Sequence, residues 1–365
     1  MSNVIEYSEL LAFHPGYYVA DIVEDMGVTQ AEFATRMGTT PKTLSKLING
    51  QINLSNDLAK KLSAMLGTSV DVWLNLQKTY DEKVIEIERQ KELDKQIQIV
   101  QMIDYSYFVK VANLKKTKVP SEQVESLCQY LIVSDLSVLC RPDFLVQFRT
   151  GVSNVNEKNV INSRAWLQTA LNFAKGIQTE PFDAEKLKSY VPEIRTMTLQ
   201  SPDIFVPRLK AIFSECGVAF VLLPHLKNSG INGAVKWINQ NRVVLAMNDR
   251  RSYADTFWFS LFHEIKHVLQ QATSRVFISM DSKTKQTVRD KLEEDADLFA
   301  QNILISPADF RRFSPNMYTS DAEIIAFARK IGIHPGVVAG RLQHDGIIKP
   351  NRCSSMKVKY RILVS

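Results

Sequence analysis

One stretch constrains this chain more than any other: Ser260-Leu261-Phe262-His263-Glu264-Ile265-Lys266-His267. Read as a helix, it puts His263 and His267 on one face, one turn apart. Two imidazoles so placed can bind one zinc ion, and Glu264 can then act on a water at that ion. The flanking residues support a helix. Trp258, Leu261, Phe262, Ile265, Val268 and Leu269 form an apolar stripe, and His263, His267, Ser260 and Gln270 fall opposite it, with Glu264 at its edge. Such a helix buries its stripe and turns the histidines toward a cleft. The chain holds only 6 His, so two in this pattern are poorly explained by chance.

Length and composition bound the rest. At 365 residues the chain suggests two or three domains, and 45% hydrophobic with 23% charged residues is ordinary for a soluble globular protein. No apolar run approaches the roughly 18 residues of a membrane-spanning helix. The N-terminus lacks the basic and apolar segments of a signal peptide. Cys128, Cys140, Cys216 and Cys353 are scattered without metal-knuckle spacing, as expected of reduced thiols in the cytoplasm. A net charge of +6 permits a nucleic-acid partner without demanding one.

Residues 14–80 read as short helices. Gln30 to Met37 is amphipathic, and Gly38 ends it. Thr39 and Thr40 offer oxygens to cap a second helix, and Pro41 suits its first turn. That helix, Pro41 to Ile48, turns Leu44, Leu47 and Ile48 inward and Lys42, Thr43, Ser45 and Lys46 outward; Leu58, Leu62 and Leu66 mark another helix over the same core. Helix, glycine turn, then a helix with a basic outer face is the pattern that enters the DNA major groove. A plain bundle with a solvated basic face would give the same spacing. The expected DNA-contacting residues are Gln30, Thr40, Lys42, Thr43 and Lys46, with phosphate contacts supplying most of the affinity.

Three segments carry a family resemblance: His14-Pro15-Gly16, Gly27-Val28-Thr29-Gln30 and Leu44-Ser45-Lys46-Leu47-Ile48-Asn49-Gly50, continued by Trp73-Leu74-Asn75-Leu76-Gln77. Together they resemble HigA-type antitoxins of the Cro/repressor class over roughly residues 10–85. The resemblance implies a homodimer on double-stranded DNA at a palindromic operator, and often a cognate toxin partner.

Residues 79–101 are rich in both charges and free of Gly and Pro, as in an exposed helix that links domains or pairs with a second protomer. Residues 102–200 read as mostly helical, with breaks at Pro120, Pro142 and Gly151 and around Pro181 and Pro192. Tyr105, Tyr107, Phe108, Trp166, Leu167, Leu171 and Phe173 are expected in the core, and no internal repeat is evident. Beyond them, Val218–Leu223, Gly233–Ile238 and Arg242–Met247 read as a small antiparallel sheet ahead of the histidine helix, an α+β arrangement.

A catalytic zinc needs a third protein ligand. On the next helical stretch Glu293, Ala296, Asp297 and Ala300 share a face. Two alanines allow close approach, so Glu293 can reach the metal and Asp297 can accept from a ligand imidazole, with Glu294 and Asp295 as competitors for the ligand role. Tyr253, His225 and His334 are weaker candidates for an oxyanion donor, and Lys357, Lys359 and Arg361 read as a solvated basic tail.

The segments Trp258 to His267, Glu293-x-x-Ala296-Asp297-x-Phe299-Ala300 and Leu304-Ile305-Ser306-Pro307 resemble the ImmA/IrrE family of metallopeptidase-like domains. The likeness runs over roughly 200–345 and includes Gly332-Ile333-His334-Pro335-Gly336. It implies a gluzincin-type zinc site with His263, His267 and Glu293 as ligands and Glu264 as base; Asp295 departs from the Glu usual in the family. The expected architecture is an N-terminal all-α helix-turn-helix domain (1–85), a helical middle region (86–200), a C-terminal α+β zincin-like domain (201–350) and a tail (351–365). The expected function is a cytoplasmic DNA-binding regulator with no membrane association, of antitoxin or autorepressor type, whose zinc peptidase-like domain cleaves a repressor or the chain itself. The alternatives are a zinc metalloprotease whose N-terminal domain docks a regulator, and a metal-binding sensor or scaffold without turnover.

Overall fold

The computed structural model describes residues 3–141, 156–250, 253–270, 276–280 and 288–360, with side chains described at all but 276–280 and 288–290. They divide into two units, Met1–Ile97 and Gln98–Ser365.

In the first unit, side-chain caps set the helix starts. An antiparallel hairpin, β1 (Val4–Tyr7) and β2 (Leu10–Phe13), precedes α1 (Pro15–Asp25), α2 (Gln30–Arg36), α3 (Pro41–Ile48), α4 (Asn56–Leu66) and α5 (Val70–Met102). Thr29 caps α2 by accepting from Glu32 N at 3.2 Å, and Thr40 caps α3 by accepting from Thr43 N at 3.1 Å. His14 does the same for α1, its Nδ1 accepting from Gly16 N at 3.0 Å. Gly16 is required there, since a Cβ would lie 1.9 Å from Leu47 O. The first turn of α1 thus rests on the end of α3. Val19, Phe33, Leu44, Leu47, Leu58, Leu62 and Trp73 fill the core. The whole of 79–101 lies within α5.

The second unit opens with α6 (Tyr105–Val111), α7 (Pro120–Leu131), α8 (Glu157–Ala174), α9 (Ala184–Thr196) and α10 (Pro202–Glu215). Pro120 starts α7, as the break there predicts, whereas Pro142 and Gly151 lie outside the described residues. Pro192 does not break the chain: α9 runs through it, because the buried face of Leu187, Val191 and Ile194 outweighs one lost backbone hydrogen bond. Leu171 and Phe173 are half-buried, unlike the fully enclosed Trp166.

The sheet differs from the expected antiparallel one. Strands β3 (Val218–Leu223), β4 (Ile231–Asn239), β5 (Arg242–Asn248) and β6 (Val276–Met280) lie in the order β3-β5-β4-β6. The β4–β5 hairpin is antiparallel, but β3 pairs with β5 in parallel. Phe220, Val235, Leu245 and Met247 face the core shared with α10 and with α11 (Ala254–Leu269). Ala219, Val221, Val244 and Ala246 are buried on the other face, where α8 contacts β3 and β5. Covering on both faces is the usual setting of a parallel pair, and it replaces alternation by continuous apolar runs that carry no sign of strand direction.

Among the described residues, α12 (Val288–Leu304), α13 (Pro307–Phe313), α14 (Asp321–Ile331) and α15 (Pro335–His344) follow the sheet. Arg195 on α9 ties two of their ends, donating to Ile303 O (2.7 Å), Leu304 O (3.0 Å) and Ile331 O (2.9 Å). The basic tail is not merely solvated. Val358 O accepts from Ala254 N at 2.8 Å, Lys357 pairs with Asp255 at 2.8 Å, and Tyr360 is buried with its oxygen 3.0 Å from Trp258 Nε1. Arg361 lies outside the described residues.

An internal repetition escaped the sequence reading. The turn from α14 to α15 aligns without a gap on that from α2 to α3, with Phe33, Ala34, Gly38 and Pro41 answered by Phe327, Ala328, Gly332 and Pro335. Gly38 and Gly332 take φ of 69° and 68°. Thr39 N donates to Ala34 O at 2.9 Å, and Ile333 N donates to Ala328 O at 3.1 Å. In this register Lys42 and Lys46 correspond to Gly336 and Gly340. A Cβ at Gly336 would meet Met356 O at 2.6 Å, and one at Gly340 would meet Asp255 Oδ2 at 2.4 Å. The second unit's outward face is therefore taken up by the tail and by α11. Gly340→Ala should cost about 1–3 kcal/mol through overpacking against Asp255 and lower the melting temperature by several degrees, while Lys46→Ala should leave it unchanged. Thermal melts followed by circular dichroism would check both.

Candidate metal centre and nucleic-acid interface

Helix α11 carries His263, Glu264 and His267, and all three are buried. Among the described residues, α12 lies against the side of α11 that carries the imidazoles. It packs against α11 with Ala296 and Ala300 fully buried, as the two small residues allow. Glu293 then comes within 3.2 Å of His263 Nε2 and 3.4 Å of His267 Nε2, and the two Nε2 atoms are 2.9 Å apart. Asp297, one turn further on α12, lies 2.8 Å from His263 Nδ1. His267 Nδ1 faces Gln270 Oε1 at 2.9 Å. Of the competitors for the third position, Glu294 is exposed and Asp295 is engaged with Lys266 at 3.0 Å.

This donor set fits a divalent cation. With each Nδ1 facing an oxygen acceptor, each Nε2 directs a lone pair inward, toward the other and toward a carboxylate. Three electron-rich atoms so close repel unless positive charge lies among them. Tetrahedral zinc with ligands at about 2.0–2.1 Å separates its donors by roughly 3.3 Å, near the observed spacings. Without a metal, a proton held within the group would supply that charge. Burial alone would lower the His263 pKa, but the hydrogen bonds to Asp297 and Glu293 outweigh it and carry it up to about 10. Burial would raise that of Glu293, yet the two imidazoles bring it down to about 2.

Glu264, beside His263 on α11, lies against the sheet. A Cβ at Gly233 on β4 would lie 2.8 Å from Glu264 Cγ and Oε1. Only glycine lets the strand backbone come so near this carboxylate. The signal available in the sequence was a glycine inside an otherwise apolar strand. Gln270 was also placed on the histidine side without a role. The candidate oxyanion donors have other settings. Tyr253 directly precedes α11, ten residues before His263, or about 15 Å along the axis. His334 caps α15, its Nδ1 accepting from Gly336 N at 3.0 Å. His225 is tied to its own loop, its Nδ1 3.2 Å from Ser229 Oγ.

In the N-terminal unit, Lys42 and Lys46 stand exposed one turn apart on α3, and Gln30 is exposed at the start of α2. Among the described residues neither lysine has an ion-pair partner, whereas Arg36 pairs with Glu32 and Lys61 pairs with Asp57. Thr40 is exposed but its oxygen is engaged as the α3 cap, and Thr43 is half-buried beside it, their hydroxyls 2.9 Å apart.

Comparison with known proteins matches a different family in each of the two units. A helix-turn-helix family model matches residues 19–73, and the IrrE N-terminal-like domain of the M78 peptidases matches residues 224–343. The HTH-type transcriptional regulator YddM of Escherichia coli is 34% identical over 83 residues, covering 22% of this chain and 88% of that protein. Antitoxin HigA-1 of Vibrio cholerae is 41% identical over 61 residues, covering 17% of this chain and 57% of its own length. Among solved structures, an antidote protein of a plasmid maintenance system from Nostoc punctiforme is 33% identical, covering 23% of this chain and 92% of its own, with a TM-score of 0.22. The chain belongs to the helix-turn-helix family that includes the HigA-type antitoxins, and it joins that domain in one polypeptide to an IrrE N-terminal-like domain of the M78 peptidase family.

Proposed function

We propose that this protein is a cytoplasmic DNA-binding regulator of antitoxin or autorepressor type whose second domain is a zinc-dependent peptidase of gluzincin kind, acting on a repressor or on the chain itself. The observation that carries the reading is the convergence of His263, His267 and Glu293 beside the buried Glu264, in a chain that begins with a helix-turn-helix. The domain limits that suit it are 1–85, 86–200, 201–350 and 351–365. On this reading a homodimer binds a palindromic operator through Lys42, Lys46, Gln30, Thr40 and Thr43, and a toxin or repressor protein is its other partner. The net charge of +6 favours the polyanion. No described helix is long and apolar enough to cross a membrane.

His263, His267 and Glu293 would hold the ion, and Asp297 would keep His263 turned to it. A zinc ion there supplies Lewis acidity, polarising a carbonyl and acidifying water. Glu264, held against the backbone at Gly233, is the base: its carboxylate takes the proton of the attacking water and delivers it to the departing amide nitrogen. Burial around Glu264 keeps bulk water from competing for that proton.

Three results would test the reading. Purified protein should hold about one zinc per chain, and Glu264→Gln should keep that zinc while abolishing cleavage of a repressor or of the chain. Loss of zinc together with activity in that variant would remove Glu264 from the role of base. Zinc affinity should depend on pH in a defined direction. The His263 proton is bound more tightly than in the unfolded chain, so its contribution to metal-free stability is full below pH 6.5 and is lost as pH rises through about 10. Zinc must displace that proton, so its affinity should climb over the same window, as metal competition titrations would show. Lys42→Ala and Lys46→Ala should each weaken operator binding and lower the salt slope by about 1, measured by fluorescence anisotropy over a salt series. Unchanged binding would move the recognition surface elsewhere.

A further inference from the structure

The second imidazole of the proposed centre is oriented by a group of another kind from the first. His263 has a carboxylate behind it, whereas His267 has the neutral amide of Gln270, the residue that ends α11. That amide makes two further bonds through its nitrogen, to Leu292 O at 3.0 Å and to Asp295 Oδ2 at 3.1 Å. A backbone carbonyl can only accept, so the contact with Leu292 O fixes which end of the amide is nitrogen. The other end, facing His267, must then be the oxygen. It can only accept, so His267 Nδ1 carries a proton, which leaves Nε2, facing Glu293 and His263, as the nitrogen open to a metal.

Leu292 immediately precedes Glu293. The same side chain therefore grips His267 on α11 and the backbone next to Glu293 on α12. Lys266, 3.0 Å from Asp295, balances the one charge in this outer group. We infer that Gln270 is a positioning residue for the metal centre, fixing the tautomer of His267 and, through Leu292 O, the separation of His267 from Glu293. This rests on the zinc reading above for its function, but its tautomer claim stands on the hydrogen bonds alone.

The test uses the full chain with Gln270→Met, which keeps length and loses both polar functions, and Gln270→Glu, which keeps the acceptor toward His267. Three readouts apply: zinc affinity by chelator competition, the visible spectrum of the cobalt-substituted protein, and imidazole nitrogen chemical shifts of the metal-free protein at a pH where both histidines are neutral. Gln270→Met should bind zinc about 10- to 100-fold more weakly, change the cobalt spectrum, and move His267 away from the Nδ1–H form. Gln270→Glu, which keeps the acceptor toward His267 but loses the donor to Leu292 O and Asp295, should restore the Nδ1–H form and only part of the affinity. If wild-type protein takes up neither zinc nor cobalt, the metal reading falls, while the nitrogen shifts still decide the tautomer. If wild type loads and Gln270→Met loads as tightly with the same spectrum and the same shifts, the inference about Gln270 falls and the zinc reading stands. A helix end that merely frays would lower the melting temperature without the recovery by glutamate, and that result also overturns it.

Discussion

The centre depends on how closely α12 can lie against α11. Glu293 reaches both imidazoles only because Ala296 and Ala300 present no side chain beyond a methyl group at the contact. A leucine at either position would add three carbons to a fully buried interface, and overpacking of that kind is relieved by moving backbone. Charge alone does not bring the helices together, since a carboxylate and two imidazoles would prefer water to burial unless paired. Apolar packing by Leu261, Phe262 and Ile265 on one side of α11, against the core below, anchors the helix. The polar side can then be assembled against it with little freedom.

Much of this was readable in the sequence because it is local. His263, Glu264 and His267 sit on one helix, and their relative placement follows from 3.6 residues per turn. Glu293 and Asp297 were readable because a second helix announces its contact face by its alanines. Gln270 was not, because its role is fixed by Leu292 O, a backbone atom on another helix whose position no spacing rule supplies. Gly233 was seen as part of a strand, but its need to be glycine comes from Glu264 across the interface. The parallel pairing of β3 with β5 was unreadable for the same kind of reason. Strands buried on both faces lose the alternation from which register and orientation are inferred.

The repeated turn at α14–α15 was hidden by its own use. Only the residues that make the turn persist: an aromatic and an alanine buried beneath it, a glycine at positive φ, and a proline at the next helix start. The residues that would have announced a helix-turn-helix, the basic outer positions, are glycines in the second copy. A search guided by a cationic face finds the first unit and passes over the other.

Those glycines explain why one backbone serves two ends. A lysine side chain is almost never fully buried unless paired, so a helix with Lys42 and Lys46 outward keeps that face hydrated and available to a polyanion. Removing the side chains at both positions removes the hydration along with the charge. It also lets other backbone and side-chain atoms approach, as Met356 O and Asp255 do at Gly336 and Gly340. Asp255 is in the first turn of α11, so the second copy packs where the helix that carries His263 and His267 begins, while Lys357 from the tail neutralises the carboxylate it encloses. The choice between an open cationic face and a closed structural one is made by two residues on the outward side of the second helix. The turn geometry itself, with its glycine φ and its backbone bonds, is indifferent to that choice.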